Sequence, residues 1–221
     1  METRKRARGD SGGTAYNGYT GWVPKETQPR IDEVSVEDLD WVSMFNRYVA
    51  KRMPVLIKGL LRDEEWRASE LWSNSYLKEH AGGCSVRVER RRDRSGSFGE
   101  GRYSRMPFRT FLEKLEGGDV LHYLTSQAPS RDNLAAPPLL DLEKRGDFPM
   151  RPAFLRGLVP ASLNLWVGSS ADGSSSGLHH DYHDNLYILL KGRKRFTLYD
   201  PSRAAEMATR GTIHAVHPNG L

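Results

Sequence analysis

"SSSGLHHDYHDNLYILLKGRKRF" (residues 174–196) sets three histidines and two aspartates into six positions, between a serine run and one of the most apolar stretches of the chain. On a helix, His179 and His183 would share a face. The helical zinc motif, however, needs Glu directly after its first histidine, and His180 stands there instead. The flanking "GSSSG" and "NLYILL" favour extended chain, in which residues two apart point the same way. His179 and Asp181 then share one side, with His180 and Tyr182 on the other. An imidazole and a carboxylate so spaced are two-thirds of the facial triad that holds non-haem Fe(II) and leaves positions open. His183 has no required role and reads as a surface histidine.

An H-x-D pair is common, and the residues downstream give it weight. In "GRKRF", Lys194 alternates with Phe196 and Leu198, so it shares their side, while Arg193 and Arg195 point the other way. A lysine on an apolar side is costly unless it meets an anion.

Upstream, the chain reads as α+β. "SVEDLDWVSMFNRYVAKR" predicts a helix capped by Ser35, with Leu39, Val42, Phe45 and Val49 as its apolar face. "MPVLIKG" (53–59) predicts a buried strand, and residues 63–80 a helix that breaks near "SNS". "GGCSVRVERR" turns into a strand with Val86 and Val88 on one face. "RYSRMPFRTFLEKLEGG" predicts a helix with Phe108, Phe111, Leu112 and Leu115 on one side, ended by Gly117 and Gly118. "DVLHYLTSQ" (119–127) is strand-like, and a long polar segment follows over 128–160. "ASLNLWVGSS" alternates Leu163, Leu165 and Val167, and "NLYILLKG" and "RKRFTLYDP" predict two more strands joined at Gly192. Helices first and strands later suit a helical N-terminal region followed by a sandwich or barrel.

The 221 residues are enough for one domain with a tail. Hydrophobic residues make up 38% of the chain, mean hydropathy is −0.63, and no apolar run approaches a bilayer-crossing length. Residues 1–30 lack apolar periodicity and read as a disordered basic arm, with no h-region of a secretory signal. The single cysteine, Cys84, excludes an internal disulfide and suits the nucleus or cytoplasm. The net charge of +5 gathers in "RKRAR", "RVERRRDR" and "KGRKR", yet no zinc-finger spacing or recognition helix points to nucleic acid.

"S-x-x-H-x-D-x-x-x-N-L-Y", followed by "KGRKR" with Lys194 fifteen positions after His179, resembles the core of the JmjC-type, cupin-like Fe(II)/2-oxoglutarate oxygenases, and in particular the hydroxylases related to factor inhibiting HIF. "MPVLIKG", "WSNSYLKEHAG", "LHYLTSQ" and "LNLWVGSS" extend the resemblance over residues 35–221. It implies a double-stranded β-helix (a jelly roll), with N-terminal helices and strands to about residue 118 and barrel core from about 119, in one domain over 31–221. It implies Fe(II) on His179 and Asp181. It also implies 2-oxoglutarate held at its far carboxylate by Lys194, with Tyr123 and Ser176 as hydroxyl donors and Asn185 near its chelating end. Tyr123 also reads as a core aromatic, and Ser176 as part of a flexible turn. The implied reaction consumes 2-oxoglutarate and O2, releases succinate and CO2, and hydroxylates or demethylates a protein side chain. A homodimer is compatible with the pattern.

The family pattern needs a second histidine on a later strand. His214 and His217 stand 35 and 38 residues after His179, in "GTIHAVHPNGL", which reads as a turn. The third ligand is therefore expected to be absent from this chain, with His217 a poorly fitting candidate within it. The expectation is a chain truncated at its C-terminus, holding part of the barrel. The alternative is a catalytically inactive cupin-like binding module that lacks the third ligand.

Overall fold

A computed structural model describes residues 30–96, 99, 101–130, 132–170, 173–179, 181, 183–200, 203, 206 and 207. The expected basic arm lies outside these residues but for Arg30.

Order begins with a parallel pair. Strand β1 (Asp32–Ser35) runs beside β2 (Val55–Lys58), with Glu33 and Lys58 ion-paired across it. The helix expected from Ser35 is corrected here. Ser35 caps only a 3-10 turn over Val36–Asp38, and Leu39 is extended at φ −115 and ψ 112. The helix α1 (Trp41–Met44) starts after Asp40, whose carboxylate accepts from the Ser43 amide at 2.6 Å. Ser43 returns the contact by accepting from the Asp40 amide at 3.0 Å, so the capping box belongs to this pair. A π-helical turn, Phe45–Val49, continues α1 and widens its spiral. The buried residues are therefore Met44 and Tyr48, while Val42 and Phe45 face outward.

Helices α2 (Ala68–Leu71) and α3 (Asn74–Ala81) are separated at Trp72 and Ser73, where Ser73 accepts from the Tyr76 amide at 3.2 Å. Strand β3 (Ser85–Arg90) carries Val86 and Val88 into the core. A second correction falls on 102–107, expected within a helix. It forms β4 (Arg102–Pro107), paired with β3, and α4 (Phe108–Glu116) begins only after Pro107. The ladder that Val86 and Val88 start favours pairing, and Pro107 stands where a helix N-terminus requires no donated hydrogen bond. Strands β5 (His122–Leu124) and β6 (Val167–Gly168) complete an antiparallel sheet in the order β4-β3-β5-β6. Such a sheet is consistent with a jelly roll.

The segment 128–160 is more than a polar connection. It contributes α5 (Leu139–Glu143) and the buried Ala135, Leu142, Phe148 and Phe154. Asp147, 1% exposed, accepts from Trp72 Nε1 and from the Tyr76 hydroxyl, each at 2.8 Å. It thereby ties this segment to α3. The core joins these residues to Trp66, Leu77, Phe108, Phe111, Leu112 and Leu124.

The basic cluster 87–94 is partly structural. Arg91 is buried and donates to the carbonyls of Arg94, Gly96 and Val120. Arg87 stacks on Tyr103, 3.8 Å from the ring centroid. Of the two strands expected over 185–201, residues 185–200 are described and form no ladder among the described residues. Their side-chain alternation is nevertheless present: Leu186, Ile188 and Leu190 pack against the core, and Tyr187 and Leu189 face outward. No helix among the described residues is long and apolar enough to cross a membrane.

Candidate functional site

The best-built part of the site is β5. Asp119 opens it: Oδ1 accepts from the amides of Leu121 at 2.8 Å and His122 at 3.0 Å, and Oδ2 meets His122 Nδ1 at 2.7 Å. Burial raises the Asp119 pKa, but these amides and the imidazole outweigh it and hold the carboxyl below its ordinary range. The turn fixes where Tyr123 emerges. By register, Tyr123 faces Glu89 on β3 and Gly168 on β6. Its ring covers Gly168 so closely that a Cβ there would stand 2.3 Å from Tyr123 Cδ2. Trp166 flanks it, with ring centroids 6.1 Å apart. Burial, then Tyr187 and Glu89, push the Tyr123 phenol up to about 12, so at neutral pH it remains a proton donor.

The rings beside Lys194 are those of Tyr187 and Phe196. Tyr187 meets Phe196 edge-on, with ring centroids 5.0 Å apart. Lys194 Nζ stands 5.7 Å from the Phe196 ring centroid. Lys194, Phe196 and Leu198 are all exposed, so the side they share is open rather than enclosed.

His179 follows a turn in which Gly177, at φ +73, donates its amide to Ser175 Oγ at 3.0 Å. A positive φ of this kind suits glycine, which has no Cβ to clash. His179 Nδ1 lies 3.0 Å from the Gly177 carbonyl, and since a carbonyl only accepts, Nδ1 carries the hydrogen. That tautomer leaves the Nε2 lone pair available, the arrangement that orients metal-binding histidines. Asp181 Oδ2 accepts a long hydrogen bond, 3.5 Å, from Asn185 Nδ2. His179, Asp181, Asn185 and Ser176 are all exposed. His180, Tyr182, His214 and His217 lie outside the described residues.

Among the described residues, no three His, Cys, Asp or Glu side chains converge as a metal cluster. The donor set present, one oriented imidazole and one carboxylate two residues apart, suits Fe(II) in kind and supplies two ligands. Tyr187 meets Phe196 beside Lys194, and His179 and Asp181 are linked by their nearness in sequence.

Two parts escaped the sequence reading. Asp119 and His122 carry a signal, since D-x-x-H before a strand is an aspartate able to cap a turn and hold an imidazole. Glu89 was hidden in a run of arginines. It is 1% exposed, and its Oε1 accepts from the amides of Gly99 and Gly101, both at 2.7 Å.

Comparison with known proteins places this geometry in a family. The family model described as "Cupin-like domain" matches residues 41–219. JmjC domain-containing protein 4 of Schizosaccharomyces pombe is 33% identical, over 92% of this chain and 46% of its own. The human bifunctional peptidase and (3S)-lysyl hydroxylase JMJD7 is 29% identical, over 72% of this chain and 51% of its own. Lysine-specific demethylase JMJ31 of Arabidopsis thaliana is 28% identical, over 64% of this chain and 31% of its own. The chain spans about half the length, or less, of these curated relatives. With a family match across most of its length and JmjC proteins as relatives, the chain belongs to the cupin-like domain family, among its JmjC members.

Proposed function

We propose that this protein is an Fe(II)- and 2-oxoglutarate-dependent oxygenase that hydroxylates a protein side chain, or demethylates one by hydroxylating an N-methyl carbon. The observation that carries the reading is His179, whose Nδ1–H is committed to the Gly177 carbonyl beside the Asp181 carboxylate. His179 Nε2 and Asp181 would hold the metal, with a further ligand to complete the facial set; His217 is the candidate within this chain. When bound, the metal and 2-oxoglutarate supply the oxidising chemistry, with O2 as oxidant and succinate and CO2 as by-products.

The chain's own residues bind and orient. Lys194 supplies the fixed positive charge for the far carboxylate of 2-oxoglutarate, and the Tyr123 hydroxyl, protonated at neutral pH, donates to the same group. Ser176 and Asn185 are the remaining polar contacts, at opposite ends of the cosubstrate. Asn185 also steadies Asp181. A protein substrate accords with the relatives whose names specify lysyl hydroxylation and lysine demethylation. A single cupin-like domain from about residue 31, in the nucleus or cytoplasm, completes the reading.

The test is conversion of 2-oxoglutarate to succinate by the intact protein with Fe(II) and ascorbate. His179→Ala and Asp181→Ala should each lower turnover at least about a hundredfold while leaving the fold intact by circular dichroism. An intact, folded protein that binds neither Fe(II) nor 2-oxoglutarate would instead be the catalytically inactive binding module.

A further inference from the structure

Glu89 is a buried carboxylate with half of its hydrogen-bonding capacity unused. It sits mid-sheet on β3, opposite Tyr103 of β4 and Tyr123 of β5 by register, so all three side chains share one face. Its Oε1 is held by the amides of Gly99 and Gly101. Its Oε2 is buried and has no hydrogen-bond partner among the described residues. A buried carboxylate oxygen without a partner is costly, so a group that arrives to pair with it offsets that cost.

The surroundings select the sign and shape of that group. A carboxylate between two tyrosines is arranged to take a cation, because ring faces attract positive charge as the carboxylate does. Tyr103 already does so for Arg87 at the outer end of the same face. No ion pair joins Glu89 to Arg87 or to another described side chain. Gly101 is also held closely against Glu89. A Cβ on Gly101 would stand 2.7 Å from Glu89 Oε1 and 2.8 Å from its Cγ, so only glycine permits this clamp. The carboxylate is therefore held in one orientation before any partner arrives.

We propose that Glu89 is a specificity-determining residue that receives the cationic end of a substrate lysine or arginine side chain. The proposal rests on the oxygenase reading of the neighbouring site, because Tyr123 is common to both. A purely structural role, as a staple for Gly99 and Gly101, needs only one acceptor oxygen, and a glutamine would supply it. That difference makes the role testable.

The experiment measures binding of the intact protein to degenerate peptides that differ at one fixed central residue: lysine against norleucine, and arginine against citrulline. Each pair removes charge while keeping approximate shape. The native protein should prefer the cationic member by about tenfold or more, as expected for a hydrogen bond to a charged group. Glu89→Gln, which still accepts from Gly99 and Gly101, should abolish the preference. As a measurement independent of any variant, n-butylammonium should displace the lysine peptide from the native protein, and n-butanol should not. No preference in the native protein, a preference that survives in folded Glu89→Gln, or equal displacement by the two small molecules would each overturn the proposal. Binding of 2-oxoglutarate to the native protein is measured in parallel. Its loss with charge preference intact defeats the oxygenase reading alone, and its presence without charge preference defeats the Glu89 subsite alone.

Discussion

At Asp119 a single carboxylate accepts from two amides and one imidazole, and so sets the first residues of β5. Asp119→Ala should cost about 2 kcal/mol at neutral pH, read from denaturant unfolding, because buried donors lose their acceptor. The sign of the pH dependence follows from the lowered pKa. Its stabilisation is complete above the ordinary value of 3.8 and is lost as pH falls through the lower folded value. The stability gap between wild type and variant should therefore narrow below about pH 4. Lys194→Ala should weaken 2-oxoglutarate binding by about tenfold or more without a comparable loss of stability, since the side chain is exposed. Calorimetric titration measures this, and unchanged affinity would remove Lys194 from the site. Burial, then Asp141, push the Cys84 thiol up to about 11. Its alkylation at pH 8 should be at least about tenfold slower in the folded protein than in urea. At this scale the candidates His179, Asp181 and Lys194 stand out in the sequence because their spacing is local. The sequence did not display Glu89, whose importance depends on Gly99, Gly101 and Tyr123 folding over and beside it.

Among the elements, β6 is only two residues long, and one of them determines the position of the Tyr123 ring. Gly168→Ala should displace that ring and weaken 2-oxoglutarate binding several-fold at a modest stability cost, measured by titration and thermal unfolding. Gly157 carries the analogous constraint against α1, since a Cβ there would stand 2.1 Å from Trp41 Cζ2. Alternation at Val86 and Val88, and at Leu163, Leu165 and Val167, was readable because period-two burial needs no knowledge of the partner, although only Val167–Gly168 of the second run pairs as a strand. The start of α1 was not. Two capping sequences lie close together, and the choice of Asp40 over Ser35 depends on β1 pairing with β2. The π-helical turn then moved the buried face away from the one expected of an ordinary helix. Residues 102–107 were misread for a related reason, since their strand exists through pairing with β3.

Across the whole molecule, Asp147 connects parts far apart in sequence, accepting from Trp72 and Tyr76 beside the stacked rings of Trp66 and Phe148. Asp147→Ala should orphan two half-buried donors and lower stability by about 2 kcal/mol, read from chemical unfolding, while Asp147→Asn should lose less. The α+β class was legible from the order of elements, but the contribution of 128–160 to the core was not, because its apolar residues follow no single period. The segment 185–190 has a further consequence for exchange kinetics. Leu186, Ile188 and Leu190 are docked on the core, yet their backbone amides enter no ladder among the described residues. Side-chain order and amide protection are thus separated along one stretch of chain. Deuterium should enter the amides of 186–190 orders of magnitude faster than those of Val86 and Val88, although both sets of side chains touch the same core. Methyl relaxation, by contrast, should report Ile188 as restrained, so the two clocks would run at different rates within a single residue.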